Sequence, residues 1–113
     1  MDDTFFMKKA LEQARMALAA GEFPVGCVVV GNNDILVPGA REGTTGDDPN
    51  EVDHAEIMAL RKLSRLDRKV NMQDVSVFST LEPCLMCFGA LVISGIGRIV
   101  FAYEDAMGGG TRC

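Results

Sequence analysis

The residues best equipped for chemistry in this sequence are its single histidine, in the triplet His54-Ala55-Glu56, and the cysteines of Pro83-Cys84-Leu85-Met86-Cys87. Each group opens an expected helix directly after a loop or strand. Residues two apart on a helix do not share a face, yet His54 and Glu56 in a first turn can address one point lying off the helix end. Cys84 and Cys87 are three apart, so both thiols lie on one side of their turn. A metal between two helix N-termini satisfies all four residues, and the positive helix ends favour thiolates over thiols. One histidine and two cysteines make three protein ligands. Structural zinc sites close with four, whereas catalytic zinc keeps a position for water, whose pKa falls from ~15.7 to about 7. Glu56, a carboxylate beside that water, can take its proton and pass it on.

Other readings of the same residues are weaker. A structural zinc needs a fourth ligand, for which Cys27, Asp53 and Cys113 are the candidates; Cys27 falls mid-strand and reads as a small buried apolar residue. A redox cysteine pair leaves His54 and Glu56 without a role. A zinc-stabilised binding module, or an inactive partner subunit of an enzyme, remains as a second class of function. Glu56 discriminates, because a purely structural site has no need of a carboxylate there.

The elements that must position these residues follow from periodicity and turn chemistry. Met7, Leu11, Ala14 and Leu18 recur at helical spacing, with Thr4 as cap and Gly21 as stop, so a first helix is expected over 4–20 with its Met and Phe residues in the core. Strands over 25–30 and 35–37 form a hairpin around Gly31-Asn32-Asn33-Asp34. Residues 41–50 read as a loop. Asp53 caps a helix running to about residue 66, and a third strand covers 75–79. Pro83 suits the first turn of a helix over 84–94, and a fourth strand spans 98–103. Gly108-Gly109-Gly110 ends the pattern, and Glu104-Asp105 reads as a solvated loop end. The order α-β-β-α-β-α-β predicts one α/β domain over 1–113, a three-layer α/β/α sandwich with a mixed sheet. Residues 83–97 carry no charge. A helix apolar all round must be covered on every side, which predicts a second copy on the face the sheet leaves bare: a homodimer.

Composition narrows the class. At 113 residues and 48% hydrophobic, the chain can bury a core without disulfide staples. No apolar run reaches a membrane span, and the acidic Met1-Asp2-Asp3 start is no signal peptide. A cytoplasmic protein with no membrane partner and four reduced cysteines is expected. Eleven basic residues face 16 acidic ones, for a net charge of −5. This argues mildly against a large RNA partner, although a local basic patch can coexist with an acidic total.

His-x-Glu followed by Pro-Cys-x-x-Cys resembles the zinc-dependent cytidine/deoxycytidylate deaminase superfamily. Phe23-Pro24-Val25-Gly26, His54-Ala55-Glu56-Ile57-Met58-Ala59-Leu60, Thr80-Leu81-Glu82-Pro83-Cys84-Leu85-Met86-Cys87 and Gly97-Arg98-Ile99-Val100-Phe101 look like its tRNA-specific adenosine deaminase branch. The similarity runs from the first helix to about Gly108. It implies a cytidine deaminase-like fold and zinc (Zn2+) on His54, Cys84 and Cys87. It further implies Glu56 as proton shuttle, and Val25, Gly26, Leu81 and Glu82 lining the base pocket with backbone groups. The implied reaction is hydrolytic removal of the exocyclic amine of a nucleobase: adenosine in tRNA, or a free base, nucleoside or nucleotide of cytosine or guanine type. The branch carries an asparagine early in the loop before the histidine motif. Here that stretch is Gly39-Ala40-Arg41-Glu42-Gly43, and the loop is acidic at Asp47 and Asp48. The sequence ends at Cys113, ahead of the family's C-terminal helix. Arg41, at the expected pocket edge, suits a bidentate phosphate contact; its alternative reading is an exposed surface arginine.

Overall fold

The first helix, α1 (Asp3–Ala19), starts one residue earlier than its apolar pattern suggests, because Asp2 caps it by accepting the Phe5 N–H at 3.0 Å. Thr4, the expected cap, lies within the first turn. The computed structural model describes residues 2–105 and 109–111, so Gly108 and the candidate ligand Cys113 lie outside the described residues. The buried stripe of α1 is Phe6, Ala10, Ala14 and Ala17, while Leu11, Met16 and Leu18 are exposed. Of the expected Met7-Leu11-Ala14-Leu18 face, Ala14 is buried and Met7 packs partly buried against the core, whereas Leu11 and Leu18 turn away from the sheet. The reason is close approach: a Cβ on Gly26 would meet Ala14 N at 2.3 Å and Ala10 O at 2.5 Å, so only small residues fit where α1 crosses Gly26. Gly21 follows the helix in the left-handed region, φ +80°, as a stop should.

Strands β1 (Gly26–Gly31) and β2 (Asp34–Ala40) form an antiparallel hairpin whose turn residues Asn32 and Asn33 both take positive φ. That is the turn whose twist matches the strands. β2 continues past Val37 through Pro38, which an edge strand tolerates because one row of its N–H groups needs no partner. β3 (Val75–Leu81) lies antiparallel to β1, and β4 (Arg98–Tyr103) parallel to β3, giving the order β2-β1-β3-β4. The sheet is mixed, as expected.

Side chains alternate across it. Cys27, Val29, Val75 and Val77 pack with Ala55, Ala59 and Leu63 of α2 (Ala55–Ser64) and Leu91 of α3 (Leu85–Ile93). Val28, Val30 and Phe78 pack on the other side with Phe6 and Ala10 of α1. One helix on one face and two on the other make the three layers.

Two helix starts differ from expectation. Asp53 does not cap α2; its carboxylate accepts from Arg61 at 2.8 Å and from Asn50 Nδ2 at 3.0 Å, leaving His54 as the N-cap. Cys84 is the N-cap of α3, with Pro83 one residue before that cap. A 3-10 turn over Met72–Asp74, unmarked in the pattern, leads into β3. Among the described residues, no helix is long and apolar enough to cross a membrane.

Candidate metal centre and active site

Because β1 and β3 are neighbours, the helices packed on their shared face begin side by side. His54 and Cys84 occupy the N-cap positions of α2 and α3, and neither side chain turns back to cap its helix. Both point at each other. His54 Nδ1 lies 3.6 Å from Cys84 Sγ and 3.5 Å from Cys87 Sγ, and the three ligand atoms fall within 4.8 Å of one another. This is the one such cluster among the described residues. The other ligand candidates are elsewhere engaged. Cys27 is fully buried, and its thiol donates to the Ala55 carbonyl at 3.4 Å; Asp53 pairs with Arg61 and Asn50.

The protonation chemistry of the cluster calls for a cation. Burial, and next the Glu56 charge, push the Cys87 thiol far above its ordinary range. Burial, reinforced by Arg41, lowers His54, so its imidazole is neutral and free to ligate. The buried Cys87 thiol becomes a thiolate only beside a compensating positive charge. A borderline-soft dication with tetrahedral preference, zinc, meets one nitrogen and two sulfur donors and retains a further position.

Glu56, in the first turn of α2, is 3% exposed. Its Oε2 lies 3.4 Å from the Ser79 hydroxyl, which also reaches the Leu81 carbonyl at 2.9 Å. Burial raises the Glu56 carboxyl above its usual range, and the Ser79 contact only partly offsets this. Sequence patterning does not single out Ser79; it is a small strand residue whose partner is 23 positions away.

Glu56 and His54 open into a cavity of about 340 Å³, the lower end of small-molecule sites. Val25, Leu81, Glu82 and Arg41 line it. Gly26 is not among the lining residues: its N–H donates to Thr80 Oγ1 at 3.2 Å and its Cα faces α1. Arg41 is not the exposed surface residue of the alternative reading. At 7% exposure it donates from Nη1 to the Asp53 carbonyl at 3.2 Å and from Nη2 to the Asn50 carbonyl at 2.7 Å, stapling the loop before the histidine. Phe23, Glu51 and Asp105 also border the cavity. For Asp105 this replaces the expected solvated loop end, since only the path of the chain after β4 brings it there.

Residues 1–103 match the family model for the cytidine and deoxycytidylate deaminase zinc-binding region. The tRNA-specific adenosine deaminase of Buchnera aphidicola is 40% identical over 99 residues, covering 88% of this chain and 60% of that protein. Among solved structures, guanine deaminase from Bacillus subtilis superposes with a TM-score of 0.81 at 31% identity, over 92% of this chain and 66% of that one. A chain from structural studies of A-to-I editing by tRNA:A34 deaminases also reaches 0.81, at 29% identity over 96% of this chain and 78% of its own. The chain spans 60% to 72% of the length of curated relatives of this kind.

Proposed function

The chain belongs to the cytidine and deoxycytidylate deaminase family, and on that premise we propose that it is a zinc-dependent hydrolytic deaminase acting on a nucleobase, with adenosine in tRNA as its target. The observation that carries the chemistry is Glu56: a buried carboxylate in the lining of the cavity that His54 and Cys84, two of the three candidate metal ligands, also border. A zinc-stabilised module without catalysis has no use for a carboxylate held at such a cost.

His54, Cys84 and Cys87 would hold the zinc, which when bound supplies the Lewis acidity that makes water a nucleophile at neutral pH. Glu56 takes a proton from the attacking water. It delivers that proton to the ring nitrogen next to the amine-bearing carbon, and a second proton passes by the same carboxylate to the departing amine. Water and aminated base become oxo-base and ammonia. The raised pKa of Glu56 suits it to both halves of this traffic. Val25, Leu81 and Glu82, which line the cavity, form the wall against which the base lies.

Two observations support a tRNA substrate. The curated relative named above carries that activity in its name. In addition, five of the 11 basic residues, Arg61, Lys62, Arg65, Arg68 and Lys69, fall within 61–69, all exposed, against one of the 16 acidic residues. The net charge of −5 thus conceals a local basic surface suited to phosphates. A second reading, a free guanine-type base, is favoured by the guanine deaminase likeness and by the carboxylates of Glu51 and Asp105 at the cavity, which disfavour a phosphate there.

We read the working assembly as a cytoplasmic homodimer. Leu85, Val92 and Ile93 of α3 are 63%, 56% and 89% exposed, an apolar face that a second copy would cover.

The test is ammonia release by zinc-loaded protein from an adenosine-bearing anticodon stem-loop and from guanine, adenosine, cytidine and dCMP. The expected result is turnover of the stem-loop that falls steeply with salt and weakens in an Arg65→Glu/Arg68→Glu variant. Turnover of guanine alone, indifferent to salt, decides for the second reading. No ammonia from any compound removes the deaminase reading.

A further inference from the structure

Glu82 borders the cavity, but its side chain has no part in the reaction described above. At 4% exposure it is deeply buried, immediately before the turn that carries Cys84. Its Oε1 accepts the Asp105 N–H at 3.1 Å; its Oε2 accepts the Thr111 N–H at 3.3 Å and the Thr111 hydroxyl. Between these anchors the backbones touch. Gly110 N–H donates to the Pro83 carbonyl at 2.8 Å, and Gly109 pairs in antiparallel fashion with Cys84. There is no space for side chains in this contact. A Cβ on Gly109 would meet Glu82 Cδ at 2.4 Å, and one on Gly110 would meet Leu85 Cα at 2.4 Å.

We propose that Glu82 is a positioning residue for the metal site, its carboxylate clamping Asp105 and the 109–111 segment across the turn that presents Cys84. The inference rests on the zinc reading of the site. Cys84 has no side-chain capping bond; α3 holds its carbonyl through the Phe88 N–H at 2.8 Å, and the contact with Gly109 and Gly110 supports the backbone on its other side. Hydrogen bonds to a carboxylate are about twice as strong as neutral ones, and three of them converge here on one buried group. The same clamp sets Asp105 against the cavity, so one side chain couples ligand placement to cavity shape. Gly109 and Gly110 are the sequence counterpart, supplying the bare backbone that the contact requires.

The test compares wild type with Glu82→Gln, nearly the same shape but with an NH₂ donor in place of one acceptor oxygen, and with Thr111→Val, which removes one donor and buries no charge. Two quantities are read: the rate of zinc loss to a chelator, and hydrogen exchange at the Gly110 amide in metal-free protein. Glu82→Gln should lose zinc about tenfold faster, within the range found when groups supporting metal ligands are removed, and exchange Gly110 correspondingly faster. Thr111→Val should shift both in the same direction by less, and it carries the test if Glu82→Gln fails to fold. Wild-type rates on both readouts overturn the clamp. Faster exchange without faster zinc loss overturns its link to Cys84. A wild-type chain that takes up no zinc at all defeats the functional reading instead, and the exchange measurement then decides the clamp by itself.

Discussion

Glu56 is held where a carboxylate anion is least comfortable, and this has consequences for stability as well as catalysis. Its folded-state pKa is raised by burial, so in metal-free protein its contribution to stability is full below the unfolded pKa and lost as pH rises through the folded one. An ionised Glu56 therefore weakens the metal-free fold at neutral pH. Glu56→Gln should lower turnover by ~10²–10⁴-fold, the usual worth of a general acid–base group, while keeping zinc. It should also raise the Tm of the metal-free protein, more at pH 7 than at pH 5. An equal change at both pH values would show that the ionised carboxylate is not what strains the fold. Cys87 makes the complementary case. It is fully buried and its thiol resists ionisation, so zinc and fold stabilise each other. Cys87→Ala should abolish the difference in Tm between zinc-loaded and metal-free protein; thermal melts with and without added zinc would check it.

Among the elements, α2 matters most, because its first turn carries both His54 and Glu56. Its height above the sheet is set by Gly39 in β2. A Cβ there would meet the Ala55 carbonyl at 2.3 Å and Ala59 Cβ at 2.8 Å. The backbone of the helix cannot yield as a flexible side chain would. Gly39→Ala should cost about 1–3 kcal/mol, as overpacking does, and should weaken zinc binding although it changes no ligand. Denaturant unfolding and zinc titration of the same variant measure the two effects. Unchanged zinc affinity alongside a lowered stability would mean that α2 tilts without moving its N-terminus.

The molecule as a whole presents an uneven surface. One helix, α3, buries only Cys87 and Leu91 and leaves Leu85, Met86, Val92 and Ile93 exposed. The dimer proposed on this face should dissociate when a charge is placed at its most exposed point. Ile93→Glu, at a position 89% exposed, should yield a monomer in light scattering with its fold intact, since the side chain supports no core. Wild-type protein that is monomeric at micromolar concentration would remove the dimer outright.

The sequence by itself was sufficient for the order of the elements, the mixed three-layer sheet and the candidate metal ligands. Those depend on local information: turn residues such as Asn32-Asn33, the β-branched run that becomes β1, and reactive residue types three apart at a helix start. Tertiary structure decided what depends on distant partners. The phase of α1 is one such matter, since Phe6 and three alanines face the sheet while Leu11 and Leu18 do not. Hydrophobicity favours the larger residues, but the clearance at Gly26 admits only small ones. Arg41, read as a pocket-edge or surface arginine, is buried because two carbonyls 9 and 12 residues onward accept its protons. Glu82 and Asp105 meet across 23 residues. No periodicity encodes that distance, and only the path of the chain after β4 brings the two together behind the cysteine that would hold the metal.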